Sequence, residues 1–245
     1  MIEYHTPCSF FEEYLDWNPD LEVSVQQWLA ISEQRFLGAT SGRIFRDDLG
    51  IEENRRKLSY FPRDVWLWLM ASQWKMIAEG EPFTGRCGSV GDELGSRIVA
   101  ARQVQRLMRL CFLQEKRHAP YSKWLGTAFS RLSIAPRLIP VFEQVMNAIH
   151  WVERDEYLGQ AYTILAESHN VLSLTEYLSV ETALFFNRPF HIKSGEKFTA
   201  ALRNVIQDPL LKSLPPLGSV SQLTDSVTVY DDVLLSRKMA VLYQQ

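Results

Sequence analysis

The sequence predicts a mainly α-helical protein, a helical bundle over residues 61–245 preceded by a small N-terminal appendage over 1–60. Three observations carry this. Apolar residues recur at helical spacing wherever a period is legible, most strongly over 62–80 and 89–117. Residues that start and stop helices stand where such helices need them: Thr6-Pro7, Ser24 and Ser32 at starts, Gly42 and Gly80 at ends. Strand-like alternation is nearly absent, and no period of about 20–50 residues repeats.

In chain order, Thr6-Pro7 opens a short helix through Phe10, Phe11, Tyr14 and Leu15. Ser24 caps a second around Val25–Ala30, and Ser32-Glu33-Gln34 opens a third that stops near Gly42. Arg43-Ile44-Phe45-Arg46 reads as a short strand with Asp47-Asp48-Leu49-Gly50 as its turn. Pro62 begins a strong helix ending at Gly80, with Val65, Trp66, Leu69, Met70 and Ile77 on its apolar side. The next helix starts near Ser89 and runs to about Arg117, where Pro120 bars continuation. Its apolar ladder is Leu94, Ile98, Ala101, Gln105, Met108 and Phe112, while Arg102, Arg106, Arg109 and Lys116 share another face. Helices are expected at 121–132, 137–150, 153–170, 175–186 and 195–207. A loop follows at 214–218, and a last helix over 233–243.

Composition narrows the class. Of 245 residues, 46% are hydrophobic and 22% charged, the balance of a folded soluble chain. The longest apolar run, Val65 to Ala71, is far too short to span a bilayer, and no signal peptide is visible, so no membrane partner is expected. Cys8, Cys87 and Cys111 are odd in number and widely spaced, which disfavours a disulfide framework or zinc site and suits a cytoplasmic location. A net charge of −3 argues against nucleic-acid coating, yet residues 97–131 alone carry +7, a field able to attract an anion or an acidic surface.

Two polar motifs flank the long helix. Gly85-Arg86-Cys87-Gly88-Ser89-Val90-Gly91-Asp92-Glu93-Leu94-Gly95-Ser96-Arg97 puts four glycines at a helix mouth. It reads either as an anion site, with exposed N–H groups assisted by Arg86 and Arg97, or as an ordinary loop and cap. Asp92 and Glu93 stand where an anion would bind, and the glycine spacing matches no phosphate-loop pattern, which favours the loop and cap. In Tyr121-Ser122-Lys123-Trp124, Lys123 follows a proline break and lies near a helix start, where the dipole does not favour an ammonium. A triphosphate would compensate, with Tyr121 or Trp124 stacking on a base; a surface lysine beside two core aromatics fits the spacing equally well. The basic stripe reads as a solvated face or as a docking face for an acidic partner. Asp92 and Glu93 as an acid–base pair would lack any accompanying nucleophile or metal motif, so neither a catalytic nor a metal-ligating residue is assigned.

Tyr60-Phe61-Pro62-Arg63-Asp64-Val65-Trp66-Leu67-Trp68-Leu69, the Gly85–Arg97 block and Ala119-Pro120-Tyr121-Ser122-Lys123-Trp124-Leu125-Gly126-Thr127-Ala128-Phe129 resemble DUF4037, a bacterial family of unknown function. Ser168-His169-Asn170, Asn187-Arg188-Pro189-Phe190 and Gln222-Leu223-Thr224-Asp225-Ser226 resemble its later motifs, and the likeness covers roughly residues 28–230. Longer members carry a nucleotidyltransferase-like domain ahead of the helical one. The resemblance therefore implies that residues 1–60 are the trailing part of such an α/β lobe and that 61–245 is the helical, nucleotide- or substrate-side domain. It implies a nucleoside triphosphate met by Lys123, Ser122, Tyr121 and Arg97, with Arg86, Asp92, Glu93 and Trp124 on the cleft wall. Magnesium would come with the catalytic lobe, and the partner would be that lobe or a second copy of the chain. No Asp-x-Asp occurs in the sequence; Asp47-Asp48 and Asp231-Asp232 are adjacent pairs. Two-metal phosphoryl transfer needs carboxylates to hold its ions, so the chain alone is expected to be inactive, a truncated or split form. The alternative is a non-catalytic helical module that docks an acidic partner through its basic face.

Overall fold

Hydroxyl side chains close the first helices where the sequence sets them. Thr6 caps α1 (Pro7–Leu15) and Ser24 caps α2 (Val25–Ala30), each in a reciprocal box with the residue three places on, Ser9 and Gln27. The structure is a computed structural model that describes residues 4–184, 190–192 and 194–244. It is a mainly α helical bundle. With α3 (Glu33–Thr40) and α4 (Ile51–Lys57), the first sixty residues are helical and contain no strand among those described.

The centre is α5 (Arg63–Gly80). Every residue from Val65 to Trp74 is buried, so this helix is covered on all sides rather than presenting one apolar stripe. Around it stand α6 (Phe83–Gly88), α7 (Glu93–Gln114), α8 (Ser122–Phe129), α9 (Ala135–Asn147) and α10 (Trp151–Val171). A two-stranded antiparallel pair, β1 (Ala183–Leu184) and β2 (His191–Ile192), leads to α11 (Gly195–Val205), which lies along α5; there the Thr199 hydroxyl donates to the Ala71 carbonyl at 3.1 Å. Short helices α12 (Pro209–Ser213), α13 (Val220–Leu223), α14 (Val227–Asp231) and α15 (Val233–Met239) finish the chain, with a 3₁₀ turn over Ala240–Tyr243. No helix among the described residues is long and apolar enough to cross a membrane.

One hydrophobic cluster runs from Phe11 to Tyr243. It joins the appendage to the bundle through Trp28, Phe36, Phe61 and His118, whose rings meet edge-on, tilted or stacked at centroid distances of 4.8–6.0 Å. The two ends of the chain clasp each other. Glu33 N donates to Ser221 Oγ at 2.8 Å, Arg35 Nε to the Tyr230 carbonyl at 2.8 Å, and Arg237 pairs with Asp16.

The structure differs from the sequence expectations in four places. Residues 43–46 are irregular rather than a strand: Phe45 is 89% exposed with no strand beside it, and the Asp47 carboxylate turns to cap α4 through Ile51 N (2.7 Å) and Glu52 N (2.9 Å). The helix expected from Ser89 begins instead at Glu93, because the chain first closes α6 and then reverses at Gly91, whose φ is +84°. The ladder Leu94, Ile98, Ala101, Gln105, Met108 and Phe112 meets the core only at its far end: Leu94 and Ile98 are mostly exposed, Met108 packs against the core and Phe112 is buried, while Ala100, Gln103, Leu107, Leu110 and Cys111 form the rest of the buried face. Finally, 175–182 is not helical. The Asn170 side chain holds both the N–H and the carbonyl of Leu178, at 3.1 and 2.8 Å, and so clasps an extended segment in place of a helix. The last two residues of that expected helix, and most of Asn187-Arg188-Pro189-Phe190, lie outside the described residues.

Candidate functional site

The Gly85–Arg97 motif is held together by its own members. A β-carbon on Gly88 would lie 2.0 Å from the Trp151 side chain, and one on Gly85 would lie 2.4 Å from Phe190, so both glycines permit close packing. Asp92 is the N-cap of α7 and accepts from Gly95 N at 2.7 Å, taking an N–H that an anion would need. Glu93 accepts from Trp151 N at 3.0 Å and from Arg154 Nη1 at 3.1 Å. Arg154, 1% exposed, also donates to Ser96 Oγ and the Ala148 carbonyl, and thereby pins the start of α10 to that of α7. Trp151 N–H and the Arg154 guanidinium outweigh desolvation at Glu93 and hold its carboxyl below the ordinary value. Arg97 donates to the Ile149 carbonyl at 3.2 Å, and Arg86 is exposed on α6.

Tyr121-Ser122-Lys123-Trp124 lies elsewhere. Tyr121 is the N-cap residue of α8, and its N–H donates to Gln34 Oε1 at 3.2 Å. The Lys123 ammonium meets no carboxylate among the described residues and sits 5.3 Å from the centroid of the Trp124 ring. Trp124 is half exposed and lines a groove of about 430 Å³ with Gln34, His118 and Arg131. Ser122 points the other way, donating to Asp225 Oδ1 at 2.8 Å. The structure therefore brings Tyr121, Ser122, Lys123 and Trp124 together but not Arg97, Arg86, Asp92 or Glu93. Twelve residues of α7 separate Arg97 from Arg109, the basic residue that shares Asp225 with Ser122, a rise of roughly 18 Å.

The basic stripe is neither fully solvated nor flat. Lys116 lies over the Trp66 ring at 4.3 Å, Arg109 is buried, Arg106 is half-buried and Arg102 is exposed. Residues 221–225 fold over the three arginines and enclose a cavity of about 270 Å³. Asp225 is its acid. Ser122, Gln105 and Arg109 outweigh desolvation there and hold its carboxyl below the usual range. Behind it, Glu33 accepts from Ala119 N at 2.8 Å and lies 3.9 Å from Arg109 Nη1 and 4.0 Å from His118 Nδ1, too far for hydrogen bonds. Neither nitrogen has any other hydrogen-bond partner. Burial pushes Glu33 up to about 7, against the Arg109 charge and the Ala119 N–H, and pushes His118 down to about 4.

The sequence marked the stripe and the Gln222–Ser226 block separately. Nothing in it signalled that they meet, because Arg109 and Asp225 are 116 residues apart. Glu33 and His118 carried no motif at all. Among the described residues no three His, Cys, Asp or Glu converge as a metal-binding group would.

Comparison with curated proteins and with solved structures gave no match. A family model matches residues 28–125, which run from Trp28 in α2 to Leu125 in α8 and contain Glu33, the cavity arginines Arg102, Arg106 and Arg109, and the Ser122-Lys123 pair. The family so matched, over 98 of the chain's 245 residues, is DUF4037, a domain of unknown function.

Proposed function

We propose that this chain is the helical, nucleotide- or substrate-side domain of a nucleotidyltransferase-like protein, not catalytic by itself. The observation that supports it is Lys123. An ammonium in the first turn of α8, without an acidic partner among the described residues and against an indole face, has room for an anion and for a stacked ring on one short segment. The nucleotide triphosphate would meet Lys123, with Trp124 offering its half-exposed face and Tyr121 beside it. Arg97 lies too far along α7 to join them. The sequence has no Asp-x-Asp pair to carry magnesium, so binding without turnover is the expected behaviour.

The test is a thermal-shift titration with ATP, GTP, CTP and UTP, with and without Mg²⁺. A saturable stabilisation that Lys123→Ala removes supports the reading. An identical titration in that variant refutes the role of Lys123.

The second reading, a module that docks an acidic partner, draws on the outer face of α7. There Leu94 (71% exposed), Ile98 (54%) and Arg102 follow one another at four-residue steps. It expects reversal of Arg102 and Arg106 to abolish complex formation while nucleotides cause no thermal shift.

A further inference from the structure

The arginine cavity has no assigned ligand, and its charges do not balance. Arg102, Arg106 and Arg109 line it with a single carboxylate, Asp225. Arg109 Nη2 reaches Asp225 Oδ1 at 3.3 Å, and its Nη1 lies 3.9 Å from Glu33 behind the cavity, without a hydrogen-bond partner among the described residues. Arg106 Nη1 donates to the Met76 carbonyl at 2.6 Å and to Gln103 Oε1 at 3.2 Å, both neutral. Arg102 makes no hydrogen bond or ion pair among the described residues. Burial and the neighbouring Arg102 charge both lower the Arg106 pKa; Glu79 raises it through space but forms no ion pair with it.

The neutral wall groups are already committed to one another. Gln222 Nε2 donates to Gln73 Oε1 and to the Leu69 carbonyl, and Gln73 Nε2 donates to the Arg106 carbonyl. Gln105 Nε2 is spent on Asp225. This leaves a firm wall in which the unspent charged donors are guanidinium N–H groups, whose planar forks match the oxygens of a phosphoryl group. About 270 Å³ is small against the usual ligand pocket, so the cavity suits a phosphate or diphosphate group rather than a whole nucleotide.

We infer that the cavity between α5, α7 and residues 221–225 is a phosphoryl-binding site, with Arg102 and Arg106 as its anion donors and Asp225 as a built-in competitor that keeps Arg109 in place. The site is distinct from the Lys123 segment, and either assignment stands without the other.

The experiment is isothermal titration of the full chain with orthophosphate, pyrophosphate and ATP at constant ionic strength, with chloride as the control. Arg102 is exposed and makes no hydrogen bond or ion pair among the described residues, so Arg102→Gln is the primary variant. Saturable binding of at least one of the three, weakened about tenfold in Arg102→Gln, supports the site, and the probe that binds distinguishes a free phosphate from a nucleotide's. Asp225→Asn is expected to tighten the same binding several-fold by removing the competing charge. Lys123→Ala should leave pyrophosphate affinity unchanged, which separates this site from the nucleotide reading above. No saturable binding by any probe, or equal affinity in wild type and Arg102→Gln, overturns the inference.

Discussion

Replacing Glu33 with Gln keeps the shape of the side chain and removes its charge, and pH then reads out the difference. Glu33 is 5% exposed, and burial raises its carboxyl from 4.5 to about 7. Below pH 4.5 it is protonated in both the folded and the unfolded chain. As pH rises the unfolded chain releases the proton first, so the stability this group contributes declines until the folded carboxyl also ionises near pH 7. A rise of that size corresponds to a loss of about 3 kcal/mol across the window. His118 acts in the opposite direction. Its folded value is pushed from 6.5 down to about 4, so it costs stability as pH falls through that range, and His169, also lowered to about 4, adds to the same trend. In wild type the opposing slopes mask one another, and Glu33→Gln exposes them. Urea unfolding from pH 4 to 8 should therefore give a wild-type-minus-variant difference that falls by about 3 kcal/mol between pH 4.5 and 7, then levels. A flat difference, or one that rises with pH, would mean that Glu33 is ionised in the fold as the partner of Arg109, and the argument from burial would be refuted.

Two further substitutions test the motif around α6 and α7. Gly88→Ala puts a methyl group against the Trp151 ring and should cost about 1–3 kcal/mol in urea unfolding; a neutral result would mean the two helices separate freely. Arg154→Ala leaves Glu93, Ser96 and the Ala148 carbonyl without their shared donor, so a loss of about 3–5 kcal/mol is expected. A loss under about 1 kcal/mol would show that Arg154 does not pin α10.

How much of this was legible depended on how local the signal was. Thr6 and Ser24 each fix a helix start within four residues, and α1 and α2 begin where those side chains stand; α3 begins after Ser32 as expected, but the Ser32 hydroxyl donates to the Tyr230 carbonyl instead of capping it. The expected helix fails over 175–182, where a side chain from the preceding helix, Asn170, takes up both backbone groups of Leu178 in place of a helical turn. The α7 ladder failed for a different reason. Its inward face also carries Ser96, Gln103 and Gln114, so hydrophobicity alone marked the exposed Leu94 and Ile98 and reached the core only at Met108 and Phe112. Of the site, Ser122, Lys123 and Trp124 were readable as an oddity of one segment. The arginine cavity was not, because its wall is assembled from α7 and from residues that follow it by more than a hundred positions.

The clasp between the chain ends has a consequence for the order in which this protein can be finished. Glu33 N waits for Ser221 and Arg35 for Tyr230, partners 188 and 195 residues later. At ribosomal rates of about 5–20 residues per second that is a delay of roughly 10–40 s. Throughout it, α1 to α3 have neither the final cover for their apolar faces nor their long-range polar partners. The N-terminal helices are made first and completed last: in a nascent chain Trp28 and Phe36 can already meet Phe61 and His118, while the backbone of Glu33 and the guanidinium of Arg35 stay open until the chain's own C-terminal segment arrives.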